Sequence, residues 1–113
     1  MTTLVTPLPS DILRSIDANA ADGFQALRVA VRDAGPIDEA TRELVLIAAF
    51  ATAGNEIAVR AHTERALGLG VTEAALRHAV LLTLGATTTL IQTVNGLKWI
   101  QEAAQAVQGQ QHG

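Results

Sequence analysis

The chain has 113 residues, of which 49% are hydrophobic and only 3% aromatic, with a net charge of −3. That length sets one domain as the expectation, with a core built from Ala, Leu, Val and Ile rather than from rings. The absence of cysteine excludes disulfides, thiolate nucleophiles and Cys-ligated metal sites, and Lys98 as the sole lysine leaves no basic footprint for nucleic acid or an anionic membrane.

Residues 1–9 read as an extended arm, because Pro7 and Pro9 discourage helix before Ser10. This arm has no basic residue and no long apolar run, so it is not read as a signal peptide, and the cytoplasm is the expected location. Ser10 is the expected cap of the first helix, with Asp11 in its first turn. Ile12, Ile16, Phe24, Leu27 and Val31 recur at helical spacing, Gly23 is expected to divide a short helix from a longer one, and Ala34-Gly35-Pro36 stops the second.

Asp38 is placed to cap the next helix, predicted over Glu39–Ala53. From Leu44 to Ala53 there is no charge, which points to burial on all sides, in a core or between subunits. Gly54 and Asn55 end it. The next segment, Glu56–Leu67, is amphipathic, with Glu56, Arg60 and Glu64 in an i,i+4 row expected to face solvent and Val59, His62 and Ala66 on the other face. Thr72 is the expected cap of the following helix. Ala79–Gly96 is again free of charge, yet Thr83, Thr87, Thr88, Thr89, Gln92, Thr93 and Asn95 make it too polar for a membrane span. Two buried helices meeting near Gly85–Thr88 are expected instead, the second continuing through Leu97–Val107. The helical domain is thus bounded at 10–107, with 108–113 as a polar, flexible tail.

Phosphate loops, nucleophile elbows and His-Glu-x-x-His pairs are absent from the sequence. Three ionisable residues adjoin apolar segments: Glu43, His62 and His78. If their helices pair, Glu43 and His62 meet in a partly dry pocket, where a carboxylate orients the imidazole tautomer and favours its protonated form, a usable proton-transfer pair. The alternative is a satisfied core histidine beside a helix-start glutamate.

Thr41-Arg42-Glu43-Leu44-Val45-Leu46, Gly54-Asn55-Glu56-Ile57-Ala58-Val59-Arg60-Ala61-His62 and Ala66-Leu67-Gly68-Leu69-Gly70-Val71-Thr72-Glu73, taken in order, resemble the carboxymuconolactone decarboxylase-like superfamily, which includes the alkylhydroperoxidase D type of thiol peroxidase. The resemblance is clearest over about 36–96. Laid on the peroxidase pattern, the glutamate falls on Glu43, the histidine on His62, and the two cysteines on Asn55 and Ala58, so thiol chemistry is impossible. The decarboxylase branch fits better, with Gly54, Glu56, Val59-Arg60 and His62 in place. This chain departs from that branch at Thr83-Leu84-Gly85-Ala86-Thr87, where the decarboxylases carry Tyr-x-Gly-x-Pro; His78 has no counterpart.

The resemblance implies an all-α bundle of five to six helices. As an enzyme it implies acid–base chemistry, decarboxylation or isomerisation, on a small organic acid or lactone without metal or organic cofactor. His62 would move the proton and Glu43 would orient it. Arg60 or Arg42 would hold a substrate carboxylate, with Asn55 nearby, unless Arg60 is occupied by its ion-pair row. A non-catalytic oligomeric binding or scaffold protein is the rival reading, favoured by the missing tyrosine and proline. The two charge-free segments and the resemblance together predict a homo-oligomer, a trimer or a hexamer.

Overall fold

The computed structural model describes residues 8–112, and its six helices are all the regular secondary structure among them apart from an isolated bridge between Leu84 and Thr88. They are α1 (Pro9–Ile16), α2 (Ala18–Arg32), α3 (Glu39–Thr52), α4 (Glu56–Gly68), α5 (Glu73–Leu81) and α6 (Leu90–His112). Most of the expected arm, residues 1–7, lies outside the described residues. No helix among the described residues is long and apolar enough to cross a membrane.

Local chemistry sets the boundaries. Helix α1 starts two residues earlier than expected, with Leu8 rather than Ser10 at its cap. Proline lacks only an N–H that the first turn leaves unused, and its fixed φ suits the N1 position that Pro9 occupies. The break after α1 falls at Asp17, not at Gly23, which lies inside α2. Asp17 is extended and its side chain accepts the Ala20 N–H, so a cap outcompetes a glycine that merely weakens a helix. Asp38, Asn55 and Thr72 cap α3, α4 and α5 in the same way, through the N–H groups of Thr41, Ala58 and Ala75. The final helix runs through residues 108–112, the stretch whose polarity marks it off as a tail in the sequence.

Helices α3 to α6 form the bundle. Ile47 and Ala51 of α3, Val59 and Ala66 of α4, Leu76 and Val80 of α5 and Ile100 of α6 make its core, with Leu44, Phe50, Leu67, Leu97 and Trp99 packed around them. Each fully buried Ile, Leu or Val contributes about 1.5–3 kcal/mol. Small residues let the helices approach, and at Gly96 a β-carbon would lie 3.0 Å from the Ala51 Cβ and 3.2 Å from Val80 Cγ1. Helices α1 and α2 contact each other and no other helix. The charge-free segments are therefore only half covered within one chain. Val45, Leu81, Leu82, Leu84, Leu90, Ile91 and Val94 are exposed in the single chain, so the core of one chain does not bury these segments on all sides.

The α3–α4 turn positions the site. Gly54 adopts φ +70°, a left-handed conformation that costs glycine nothing. Around it the Asn55 N–H donates to the Phe50 carbonyl and the Gly54 N–H to that of Ala51, closing α3 in a Schellman motif. Asn55, the last residue of that motif, is also the cap of α4. One residue thus ends one helix and starts the next, which fixes α4 against α3.

Candidate functional site

Glu43 belongs to the buried stripe of α3, one turn ahead of Ile47 and two ahead of Ala51. Its side chain is 6% exposed, a position that a carboxylate occupies only with partners. The partner is His62 of α4, whose Nδ1 lies 2.7 Å from Glu43 Oε2, and Arg65 Nη1 stands 4.0 Å from the other oxygen. Phe50, two turns after Glu43 on α3, lies against the imidazole with ring centroids 4.9 Å apart. With the carboxylate accepting from Nδ1–H, the neutral tautomer carries its lone pair on Nε2. Nε2 has no protein partner among the described residues, and the His62 side chain keeps 15% exposure.

The structure thus brings Glu43 and His62 together. It places the other candidate residues differently. Arg60 donates through Nε to Glu56 at 2.8 Å and through Nη2 to Glu102 of α6. Burial works against its charge, but the hydrogen bonds it donates to Glu102 and Glu56 outweigh that and hold the guanidinium above the ordinary arginine value. The predicted solvated row is corrected accordingly: α6 lies against this side of α4, Glu64 is buried, and Glu102 is the second acceptor. Arg42 donates to the Ile37 carbonyl at 2.9 Å. The Asn55 side-chain oxygen accepts the Ala58 N–H. Among the described residues, no group of three or more His, Asp or Glu side chains is placed to hold a metal ion.

A separate pocket of about 450 Å³ opens between α3, α5 and the turn that follows α5. Leu44, Val45, Ala48, Ala79 and Leu82 line it, and His78 is its one ionisable lining residue; neither Glu43 nor His62 does. Thr83 and Thr87, the positions where the resemblance leads one to expect tyrosine and proline, also border it. The Thr83 hydroxyl donates to the Val80 carbonyl at 2.6 Å and pairs with Thr88 Oγ1 at 3.0 Å, which in turn pairs with Thr93 Oγ1 at 2.7 Å. Three hydroxyls in one chain stitch the turn to α6 and polarise one another.

Sequence reasoning passed over Arg65, Phe50 and Glu102. Arg65 is three residues after His62 on the same helical face, and Phe50 is seven after Glu43, so helical spacing carried a signal for both. Glu102 is set by the packing of α6 on α4, which no local pattern reveals.

The model of the carboxymuconolactone decarboxylase family matches residues 18–102, from the start of α2 well into α6. No curated protein and no solved structure matches the chain.

Proposed function

The chain belongs to the carboxymuconolactone decarboxylase family, and on that premise we propose that it catalyses proton transfer on a small organic acid or lactone, by decarboxylation or isomerisation. The observation that carries this reading is the His62–Glu43 hydrogen bond of 2.7 Å, with its carboxylate buried and its Nε2 unpartnered among the described residues. A buried carboxylate does not need a histidine with a free nitrogen in order to be satisfied; a general base does.

In an isomerisation, Nε2 takes a proton from a carbon made acidic by an adjacent carbonyl, and the imidazolium returns it to another carbon of the same conjugated system. In a decarboxylation, the bond to the carboxylate breaks and carbon dioxide leaves. The electron pair stays on carbon, delocalised into the carbonyl, and the Nε2–H of the imidazolium protonates it; solvent restores the proton. In both, Glu43 balances the positive charge while it holds the ring in place. Arg65, close to Glu43 and half exposed, is better placed than Arg60 to meet a substrate carboxylate, because Arg60 already holds two. The chain acts in this reading as a cytoplasmic homo-oligomer, a trimer or a hexamer.

A second reading, a binding or scaffold protein without chemistry, is favoured by one observation: the 450 Å³ pocket and the Glu43–His62 pair do not coincide. A thermal-shift screen of small carboxylates and lactones on wild type and His62→Gln separates the two. A ligand at ten times its Kd adds about 1.4 kcal/mol to folded-state stability. A wild-type product of changed mass or, for an isomer, of changed NMR spectrum, lost in the variant, supports catalysis. Equal binding by both proteins without product supports the scaffold.

A further inference from the structure

Arg65 is the one arginine of α3 to α6 whose guanidinium makes no hydrogen bond among the described residues. Arg42 donates to a carbonyl, Arg60 to two carboxylates and Arg77 to Glu73. The approach of Arg65 Nη1 to Glu43 Oε1 stops at 4.0 Å, outside hydrogen-bond range, and the Arg65 side chain is 46% exposed. An arginine in the last turn of α4 gains from the helix dipole, but that gain does not require it to lean toward a buried carboxylate on α3. The guanidinium keeps its forked donors free, and that fork matches a carboxylate.

One carboxylate joins two unspent groups. Glu43 Oε2 holds His62 Nδ1 at 2.7 Å and leaves Nε2 without a protein partner among the described residues, while Oε1 faces Arg65. His62 and Arg65 are three apart on α4 and share a face. Phe50 covers the ring from α3. The neighbouring ion pairs are closed: Glu56 and Glu102 of α6 hold Arg60, and Glu73 holds Arg77 on α5. With His62 neutral, Glu43 and Arg65 carry one charge of each sign and the cluster balances. A ligand carboxylate on Arg65 leaves a negative charge in excess, beside a Glu43 side chain only 6% exposed. Uncompensated charge is costly where water is scarce, and a proton on His62 Nε2 removes the excess.

We propose that Arg65 is the anion-selecting residue of this site and that a small carboxylate and a proton enter together, the anion on the Arg65 guanidinium and the proton on His62 Nε2. The proposal rests on the acid–base reading of Glu43 and His62 and adds how a substrate charges the pair. An uncharged analogue, such as an ester, brings no excess charge and draws no proton. The imidazolium formed in this way is the acid that the decarboxylation step uses.

The test is an NMR titration of the full chain, labelled with nitrogen-15, at neutral pH with but-3-enoate and with its uncharged methyl ester. The Arg65 Nε–H signal reports the anion, and the ring nitrogens of His62 report the proton. In wild type, but-3-enoate is expected to move the Arg65 signal and to carry the His62 ring toward the imidazolium at the same ligand concentration, and the ester to do neither. Arg65→Gln is expected to weaken binding at least about tenfold, the low end for a hydrogen bond to a charged group, and to leave the ring neutral. His62→Gln is expected to keep the Arg65 shift at a higher ligand concentration, because the proton no longer helps the anion to bind. Arg65→Lys, which has the charge without the fork, is expected to fall between wild type and Arg65→Gln, and replaces the latter should it lose helical content. A ring that stays neutral while the Arg65 signal moves overturns the coupling, as does unchanged affinity in His62→Gln. Equal binding by Arg65→Gln, equal binding of the ester, or no binding of but-3-enoate overturns the selection. These failures leave His62 as the base untouched, since that reading stands or falls on proton exchange at carbon in wild type and His62→Gln.

Discussion

Replacing Glu43 by Gln removes the charge of the buried carboxylate and keeps its shape. At 6% exposure water screens the pair little, and at 2.7 Å it is a short, charge-assisted contact. Hydrogen bonds to charged groups contribute about 1.5–3 kcal/mol. Since the amide oxygen still accepts from Nδ1–H, Glu43→Gln is expected to cost about 1–2 kcal/mol of that. His62→Leu does more harm, because it strands a buried carboxylate with only Arg65, 4.0 Å away, for company; breaking such a pair from one side costs about 3–5 kcal/mol. The double variant leaves no charge to strand, so the two changes are expected to fall short of additivity by about 1–2 kcal/mol. Urea unfolding of the four proteins, at one protein concentration so that association does not shift the comparison, measures this term. Additivity within about 0.3 kcal/mol would falsify the claim that the pair is a coupled, buried unit.

Three further outcomes are expected. Gly96→Val places methyl groups where even a β-carbon meets Ala51 at 3.0 Å, so α6 must shift off α3 and α5; the cost is about 1–3 kcal/mol, and a melting temperature equal to wild type contradicts the packing. Asp38 is held below its ordinary value of 3.8 by the Thr41 N–H, so its cap stabilises α3 fully above that value and is lost as pH falls through its lower folded value. Asp38→Asn, which keeps the acceptor, is expected to remove that acid-side dependence, while Asp38→Ala lowers the melting temperature at neutral pH and converges on wild type in acid; identical acid unfolding curves for wild type and Asp38→Asn refute it. With no cysteine in the chain, the metal-free protein is expected not to turn over an organic hydroperoxide with a dithiol reductant, and robust peroxide consumption refutes this.

Most of the bundle was legible because its boundaries are written locally. Asp38, Gly54-Asn55 and Thr72 are cap and stop residues whose chemistry acts over four positions, and helices begin and end there as read. The displaced boundaries lie where two local signals compete. Gly23 looked like a break, yet the Asp17 cap is the stronger signal; Pro9 looked like a barrier, yet it is an opening residue. The contact of Glu43 with His62 followed from the pairing of two helices across one tight turn and from the family pattern. The position of Arg60 did not, because its second partner lies 42 residues away on a helix whose docking depends on the whole core. Nor could composition distinguish burial within a chain from burial between chains, since both remove the same side chains from water.

The most direct test of the account is hydrogen exchange at carbon. Small β,γ-unsaturated acids and lactones are incubated with the protein in deuterium oxide and followed by proton NMR, with wild type, His62→Gln and Glu43→Gln side by side. The account predicts enzyme-dependent loss of an α-proton signal or of the carboxyl-bearing species for at least one compound. That activity should vanish in His62→Gln and fall by a factor of ten to a thousand in Glu43→Gln, about what a positioned acid–base group and its orienting partner contribute. Undiminished exchange in His62→Gln would contradict it, as would wild type that binds a compound yet leaves every carbon-bound proton and carboxylate in place.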